Sequence, residues 1–140
     1  MFSNTKPLLI VTAVVELGMG ASLLVAPSLT AELLLGAGLE SPESVLVGRV
    51  GGAALLAIGL SCWLERKRDR RGPPVGLVVG LAAYNAAAVA LLIHAAVVAG
   101  MNGVGIWPAC SLHSALLVWC VACLRAVRGK DAQGRSSTAG

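Results

Sequence analysis

Four long apolar segments make up most of this chain, and they restrict its possible folds more than any other feature. They cover about residues 7–26, 42–64, 74–99 and 108–124. Each is long enough to cross a hydrocarbon layer as a helix, because about 18 apolar residues with few charges suffice for a transmembrane span. The sequence therefore predicts an all-α fold, a bundle of four transmembrane helices with the lipid bilayer as its surroundings.

The composition and the prolines support this division of the chain. Of the 140 residues, 56% are hydrophobic and 13% are charged, which is unlike the composition of a soluble domain. A proline stands at the start of each apolar segment, where it is favoured in the first helical turn. These prolines are Pro7, Pro42, Pro74 and Pro108. A cleaved signal peptide is the alternative for the first segment, but the run is long and contains Glu16.

Basic residues lie on one side of the predicted bundle. They are Lys6, the Arg66–Arg71 cluster, Arg125, Arg128, Lys130 and Arg135. The two opposite connections, Pro27–Ser41 and Gly100–Trp107, contain no Lys or Arg. Because cytoplasmic loops carry the excess of positive charge, we expect both termini in the cytoplasm and the protein in a bacterial inner membrane.

The chain is predicted to have three parts. Residues 1–6 form a short cytoplasmic N-terminus, residues 7–126 form the membrane domain, and residues 127–140 form a polar, disordered tail. In the first outer connection, Ser28 is a candidate cap for a short helix that stops at Gly36. That segment is either an amphipathic helix in the interface or an ordinary loop.

Four ionisable residues, one from each helix, fall in the outer half of the membrane. They are Glu16, Arg49, His94 and His113. An ionisable group near the bilayer centre costs about 2.5–3.5 kcal/mol on insertion scales, so each needs a partner or a function. The sequence predicts a polar cluster in which Glu16 pairs with Arg49. The cluster is either a binding chamber with the histidines as ligands or proton carriers, or a structural bridge.

Small residues indicate which helix faces pack against neighbours. His94 shares a face of its helix with Gly76 and Gly80, so we expect His94 to face the bundle interior. Gly48 and Gly52, next to Arg49, form a similar surface on the second helix. Asn85 lies about half a turn from His94 at 100° per residue, and is a candidate contact to another helix or another subunit.

Three cysteines lie near the cytoplasmic ends of the helices, and Cys110 stands alone near the outer side. Cys120 and Cys123 have the CxxC spacing, and Cys62 lies at a similar depth, so a redox or soft-metal site is one hypothesis. The favoured interpretation is that these cysteines pack as small apolar residues in a reducing compartment.

No catalytic residue, metal site or cofactor is predicted from the motifs. Haem b ligation by His94 and His113 is compatible with their depths, but no further haem signature accompanies them. Nucleic-acid binding is disfavoured because the basic run is short and carries no interleaved aromatic residues.

The chain resembles the DoxX-like group of small bacterial four-helix membrane proteins. The resemblance rests on the glutamate of the first helix, Gly48-Arg49, the basic loop, Tyr84-Asn85, and Trp107-Pro108 with His113. It implies the same four-helix fold and a link to membrane redox or thiol-stress assemblies, without one agreed activity.

Three functions follow as hypotheses. The leading one is a non-enzymatic accessory or assembly subunit that packs against itself or a membrane-protein partner through its Gly/Ala faces. The second is a small transporter or ligand-binding bundle that uses the polar cluster. The third is a haem- or quinone-linked redox protein.

Overall fold

The computed structural model describes residues 5–67 and 74–137, and these form five helices with no strand among them. The helices are α1 (Thr5–Val25), α2 (Pro27–Leu35), α3 (Pro42–Glu65), α4 (Val75–Val97) and α5 (Ile106–Ser137). Within these ranges, four stretches are long and apolar enough to cross a membrane, and the predicted fold class is confirmed. They are α1, α3, α4 and the part of α5 from Ile106 to Gly129.

The helix bounds differ from the prediction mainly at the C-terminus. Helix α5 continues to Ser137, so it extends well into the segment 127–140 that was predicted to be disordered. Alanine, arginine, lysine and glutamine have high helix propensity, and adding a residue to an existing helix needs no new nucleus. The N-terminal residues 1–4 and the basic residues 68–71 lie outside the described part of the chain.

The connection between α1 and α3 contains a helix, α2, which is separated from α1 by the single residue Ala26. Gly36 ends it in the left-handed conformation, with φ of 85° and its N–H donated to Glu32 O. Ser28 does not cap this helix, contrary to the prediction, because Ala26 is the N-cap. The Ser28 hydroxyl instead donates to Leu39 O at 3.0 Å and accepts from Leu39 N at 2.9 Å. These two bonds fold residues 36–41 back over the start of α2.

The α4–α5 connection packs onto the end of α2. The Gly105 N–H donates to Leu33 O at 2.9 Å, which satisfies a carbonyl that the end of α2 leaves unpaired. A Cβ at Gly103 would clash with the backbone of Leu34, so only glycine allows this approach. Helix α2 is thus held between the two halves of the chain, against α1, α3 and α5.

The membrane helices form two close pairs, α1 with α3 and α4 with α5, which meet mainly through α1 and α5. Glycines allow the first pair to approach until their backbones touch. A Cβ at Gly20 would lie 2.7 Å from Gly52 O, and one at Gly52 would lie 2.8 Å from Gly20 O. A Cβ at Gly59 would likewise lie 2.8 Å from Leu17 Cγ. Such small-residue contacts are the usual way in which helices associate in lipid.

The buried apolar core lies toward the end of the bundle that carries the basic residues. It is built by the N-terminal half of α1, the C-terminal half of α3, the first half of α4 and the middle of α5. Its members are Leu8, Leu9, Ala13, Cys62, Val78, Leu81, Leu116, Cys120 and Cys123. The three cysteines at this end of the bundle are therefore packed among aliphatic side chains.

The Gly20–Gly52 contact leads to a direct test. Gly52→Ala should lower the free energy of unfolding by about 1–3 kcal/mol, because the added methyl group meets backbone atoms that move only if α1 and α3 separate. Gly51→Ala is the matched control, since its Cβ would meet no described atom within 4 Å, and it should stay within about 1 kcal/mol of wild type. SDS unfolding in mixed micelles, followed by circular dichroism, measures both. Equal stabilities of the two variants would contradict the contact.

Candidate functional site

Glu16 is buried in the middle of the bundle, with 1% of its surface exposed. The Tyr84 hydroxyl of α4 donates a hydrogen bond to Glu16 Oε2 at 3.1 Å. Glu16 Oε1 is also buried, and no described residue is bonded to it. Thr12, one turn earlier on the same face of α1, likewise has a buried hydroxyl without a partner among the described residues. Buried polar atoms of this kind are uncommon and call for an explanation.

Asn85 connects α4 to α5. Its Nδ2 donates to Leu81 O at 2.7 Å, and its Oδ1 lies 2.8 Å from Nδ1 of His113. Because an amide oxygen only accepts, His113 must carry a hydrogen on Nδ1 and donate it. When the ring is neutral, Nε2 then has a lone pair and can accept a proton.

Tyr84 joins these two groups. Its ring meets the ring of His113 edge to face, with centroids 5.6 Å apart and planes at 83°, while its hydroxyl reaches Glu16. Four residues from α1, α4 and α5 thus form a continuous polar group inside the apolar bundle, and Thr12 lies one helical turn from Glu16. We call these five residues the inner polar cluster, and its members are Thr12, Glu16, Tyr84, Asn85 and His113.

Arg49 does not belong to this cluster, and the predicted Glu16–Arg49 pair is wrong. Its side chain is exposed on α3, and within residues 5–67 and 74–129 no ion pair joins it to Glu16. Helix α3 packs on α1 through Gly52 and Gly59, whereas the bonded oxygen of Glu16 meets α4. The two residues therefore occupy different sides of the α1–α3 pair.

The orientation predicted for His94 was also wrong. His94, Gly76 and Gly80 lie on the exposed face of α4. The face that packs on α5 carries Val78, Leu81 and Asn85, because these larger side chains fill the space between the helices. Asn85 therefore makes a helix–helix contact within the chain, one of the two alternatives raised for it.

The remaining small-residue positions divide between inner and outer surfaces. Gly52 lies in the α1–α3 contact, and a Cβ at Gly48 would lie 2.8 Å from Leu39 Cδ1. Gly76 and Gly80 have no described atom within 4 Å of a Cβ placed on them. Gly76 and Gly80 of α4 therefore lie on a surface, whereas Gly52 of α3 lies in a helix–helix contact.

The histidines do not converge. His113 is bonded to Asn85 inside the bundle, whereas His94 is about 13 Å further along α4, at 1.5 Å per residue, and on the opposite face. This placement does not offer a pair of axial ligands for haem. Within the described ranges, no group of three or more His, Cys, Asp or Glu residues is arranged to hold a metal ion.

Two members of the cluster, Thr12 and Tyr84, were not predicted as site residues. Tyr84 is the only tyrosine in the chain and sits next to Asn85 within an apolar helix. Thr12 precedes Glu16 by one helical turn, which places both on one face. Both signals were present in the sequence, but they are weaker than a charge because neither residue is ionised at neutral pH.

Comparison with protein-family models, with curated proteins and with solved structures gives no match. The cluster is therefore interpreted from its own geometry.

The Asn85–His113 bond can be measured as a coupling energy. In a double-mutant cycle, Asn85→Ala and His113→Ala should be coupled by about 0.6 kcal/mol, and at most about 1.7 kcal/mol, the range for hydrogen bonds between membrane helices. Asn85→Ala combined with His94→Ala is the matched control and should be additive within about 0.5 kcal/mol, because His94 is on the other face. SDS unfolding supplies the free energies. Equal coupling in both cycles would contradict the geometry.

Proposed function

We propose that this chain is a small non-enzymatic membrane protein of the bacterial inner membrane. It acts as an accessory or assembly subunit that packs against a second copy or another membrane protein. The observation that carries the proposal is an exposed face of α4 lined with small residues.

This α4 small-residue face follows the helix from end to end. Its members are all exposed, and they are Gly76, Gly80, Ala83, Ala87, Ala90 and His94. Lipid tails are as apolar as leucine, so helices in a membrane associate by close packing, and small residues allow the closest approach. A face of this kind in contact only with lipid would forgo that packing.

The same chain already uses such a surface internally. Gly52 and Gly59 on α3 let the backbone of α1 approach to van der Waals distance. The α4 small-residue face also carries two glycines four residues apart, but no described atom lies within 4 Å of a Cβ placed at Gly76 or Gly80. By this internal precedent, we assign the α4 face to a helix outside the chain.

His94 also supports the proposal. It is exposed at the end of this face nearest the α4–α5 connection, at a level where the helix is still apolar. A polar side chain exposed to lipid is costly, and contact with a partner helix supplies both shielding and a hydrogen-bonding group.

The proposed orientation places both termini in the cytoplasm. Its support is the distribution of Lys and Arg, with the Arg66 region on one side and uncharged or acidic connections on the other. The Arg66 guanidinium also lies 3.3 Å from the centre of the Trp63 ring and donates to Trp63 O at 2.7 Å. Tryptophan and arginine together are typical of a membrane–water interface.

A relation to DoxX-like proteins remains part of this proposal, on the residues quoted above, and it adds only the four-helix architecture. The alternative binding chamber loses two of its four members, since Arg49 and His94 are exposed. The haem alternative loses its convergent histidines.

The orientation is tested by labelling in intact cells with a membrane-impermeant maleimide. Ala37→Cys, in the exposed connection after α2, should be labelled from outside. Thr138→Cys should be labelled only after the membrane is opened, because the C-terminus is cytoplasmic under the positive-inside rule. Wild type, whose native cysteines are buried, is the background control. The reverse labelling pattern would overturn the orientation.

The packing face is tested by a bulky substitution. Gly80→Leu should weaken assembly about tenfold or more, because overpacking costs about 1–3 kcal/mol. Gly18→Leu is the matched control, since Gly18 is an exposed glycine on α1 with no described atom near its Cβ. Energy transfer between two labelled copies in vesicles detects self-association, and mass spectrometry of co-purified proteins detects a different partner. Unchanged assembly of Gly80→Leu in both measurements would rule out this face.

A further inference from the structure

We infer that Glu16 holds a proton inside the bundle, and that Glu16 and Tyr84 together form a buried proton-binding site. The site is distinct from the α4 small-residue face and does not depend on the proposed function. The inference begins with the two buried oxygens, Glu16 Oε1 and Thr12 Oγ1, that have no partner among the described residues.

The surroundings of Glu16 offer no compensating positive charge. The titratable groups that face it are Cys62 of α3 and Tyr84 of α4, with His113 of α5 against the Tyr84 ring and Cys120 of α5 near Cys62. His113 directs its Nδ1–H to Asn85, not to Glu16. An ionised carboxylate buried in an apolar medium without a counter-ion is far more costly than the neutral acid. The site therefore needs a proton or a metal cation.

A proton fits the site better than a metal ion does. Hard metal cations take about six or more oxygen ligands, and Thr12, Glu16 and Tyr84 are the side chains that offer oxygens here. A proton needs one acceptor. A hydronium ion gives its proton to Glu16 Oε1 and leaves as water. Glu16 Oε2 still accepts the hydrogen bond from Tyr84, as observed.

The structure also indicates the side from which the proton comes. Toward the basic end, the apolar core closes the bundle below Glu16. On the other side, an open groove of about 460 Å³ runs between α1, α2 and α5. Its lining includes Met19, one turn beyond Glu16, and Leu112, the neighbour of His113. We therefore assign proton exchange to the α2 side of the protein.

Infrared spectroscopy of the full chain in a maltoside detergent, which has no ester carbonyl, tests the inference. At pH 7 exposed carboxyl groups are ionised, so wild type should show the carbonyl band of one protonated carboxylic acid. The band should be lost in Glu16→Gln and should shift to higher frequency in Tyr84→Phe, which removes the hydrogen bond to Oε2. Glu32→Gln, at an exposed position of α2, is the matched control and should leave the band unchanged.

Measurements on wild type alone keep the test independent of whether the variants fold. The absence of an acid band at pH 7 would overturn the inference, and so would a band that persists in Glu16→Gln. Replacing choline with sodium in the buffer should leave the band unchanged. Loss of the band in sodium, with a rise in Tm, would assign the site to a metal cation instead.

Discussion

The backbone contact between Gly20 and Gly52 determines how the rest of the bundle is arranged. Helix α3 packs on α1 at Gly20, and Glu16, one turn earlier on α1, lies where α4 also reaches this helix. Lipid provides no hydrogen-bonding groups, so a carboxyl group there must find its partners within the protein. Tyr84 supplies one of them. One tight helix pair therefore places a carboxyl group in the centre of the bundle.

The two faces of α4 show how packing and surface composition are divided in a small membrane protein. The inner face carries larger or polar side chains that fill space and bond to α5, as Asn85 does with His113. The outer face carries glycine and alanine and is exposed. With so few helices, each must serve both internal packing and external contact. The inner polar cluster and the α4 small-residue face thus lie on opposite sides of one element.

The sequence was sufficient to predict the four membrane-spanning helices, because length and apolarity alone distinguish a transmembrane helix. It was not sufficient to predict which face of α4 points into the bundle, since a row of small residues fits equally well inside a bundle or on its surface. His94 and Asn85 lie half a turn apart, and periodicity cannot decide which of the two faces inward. Arg49 shared a depth with Glu16, but depth does not specify the side of a helix. Tyr84 does not stand out in the sequence as a site residue, because its side chain is uncharged at neutral pH and only its hydrogen-bonding partner reveals its role.

The hydrogen bond between the α4–α5 connection and α2 can form only late in the synthesis of the chain. The bond from Gly105 to Leu33 joins the connection before α5 to a helix that leaves the ribosome long before it. Synthesis proceeds from the N-terminus, so α1, α2 and α3 enter the membrane while this bond has no donor. The end of α2 is completed only when the second helix pair is inserted. Insertion of the second helix pair therefore also closes the end of the bundle where α2 lies.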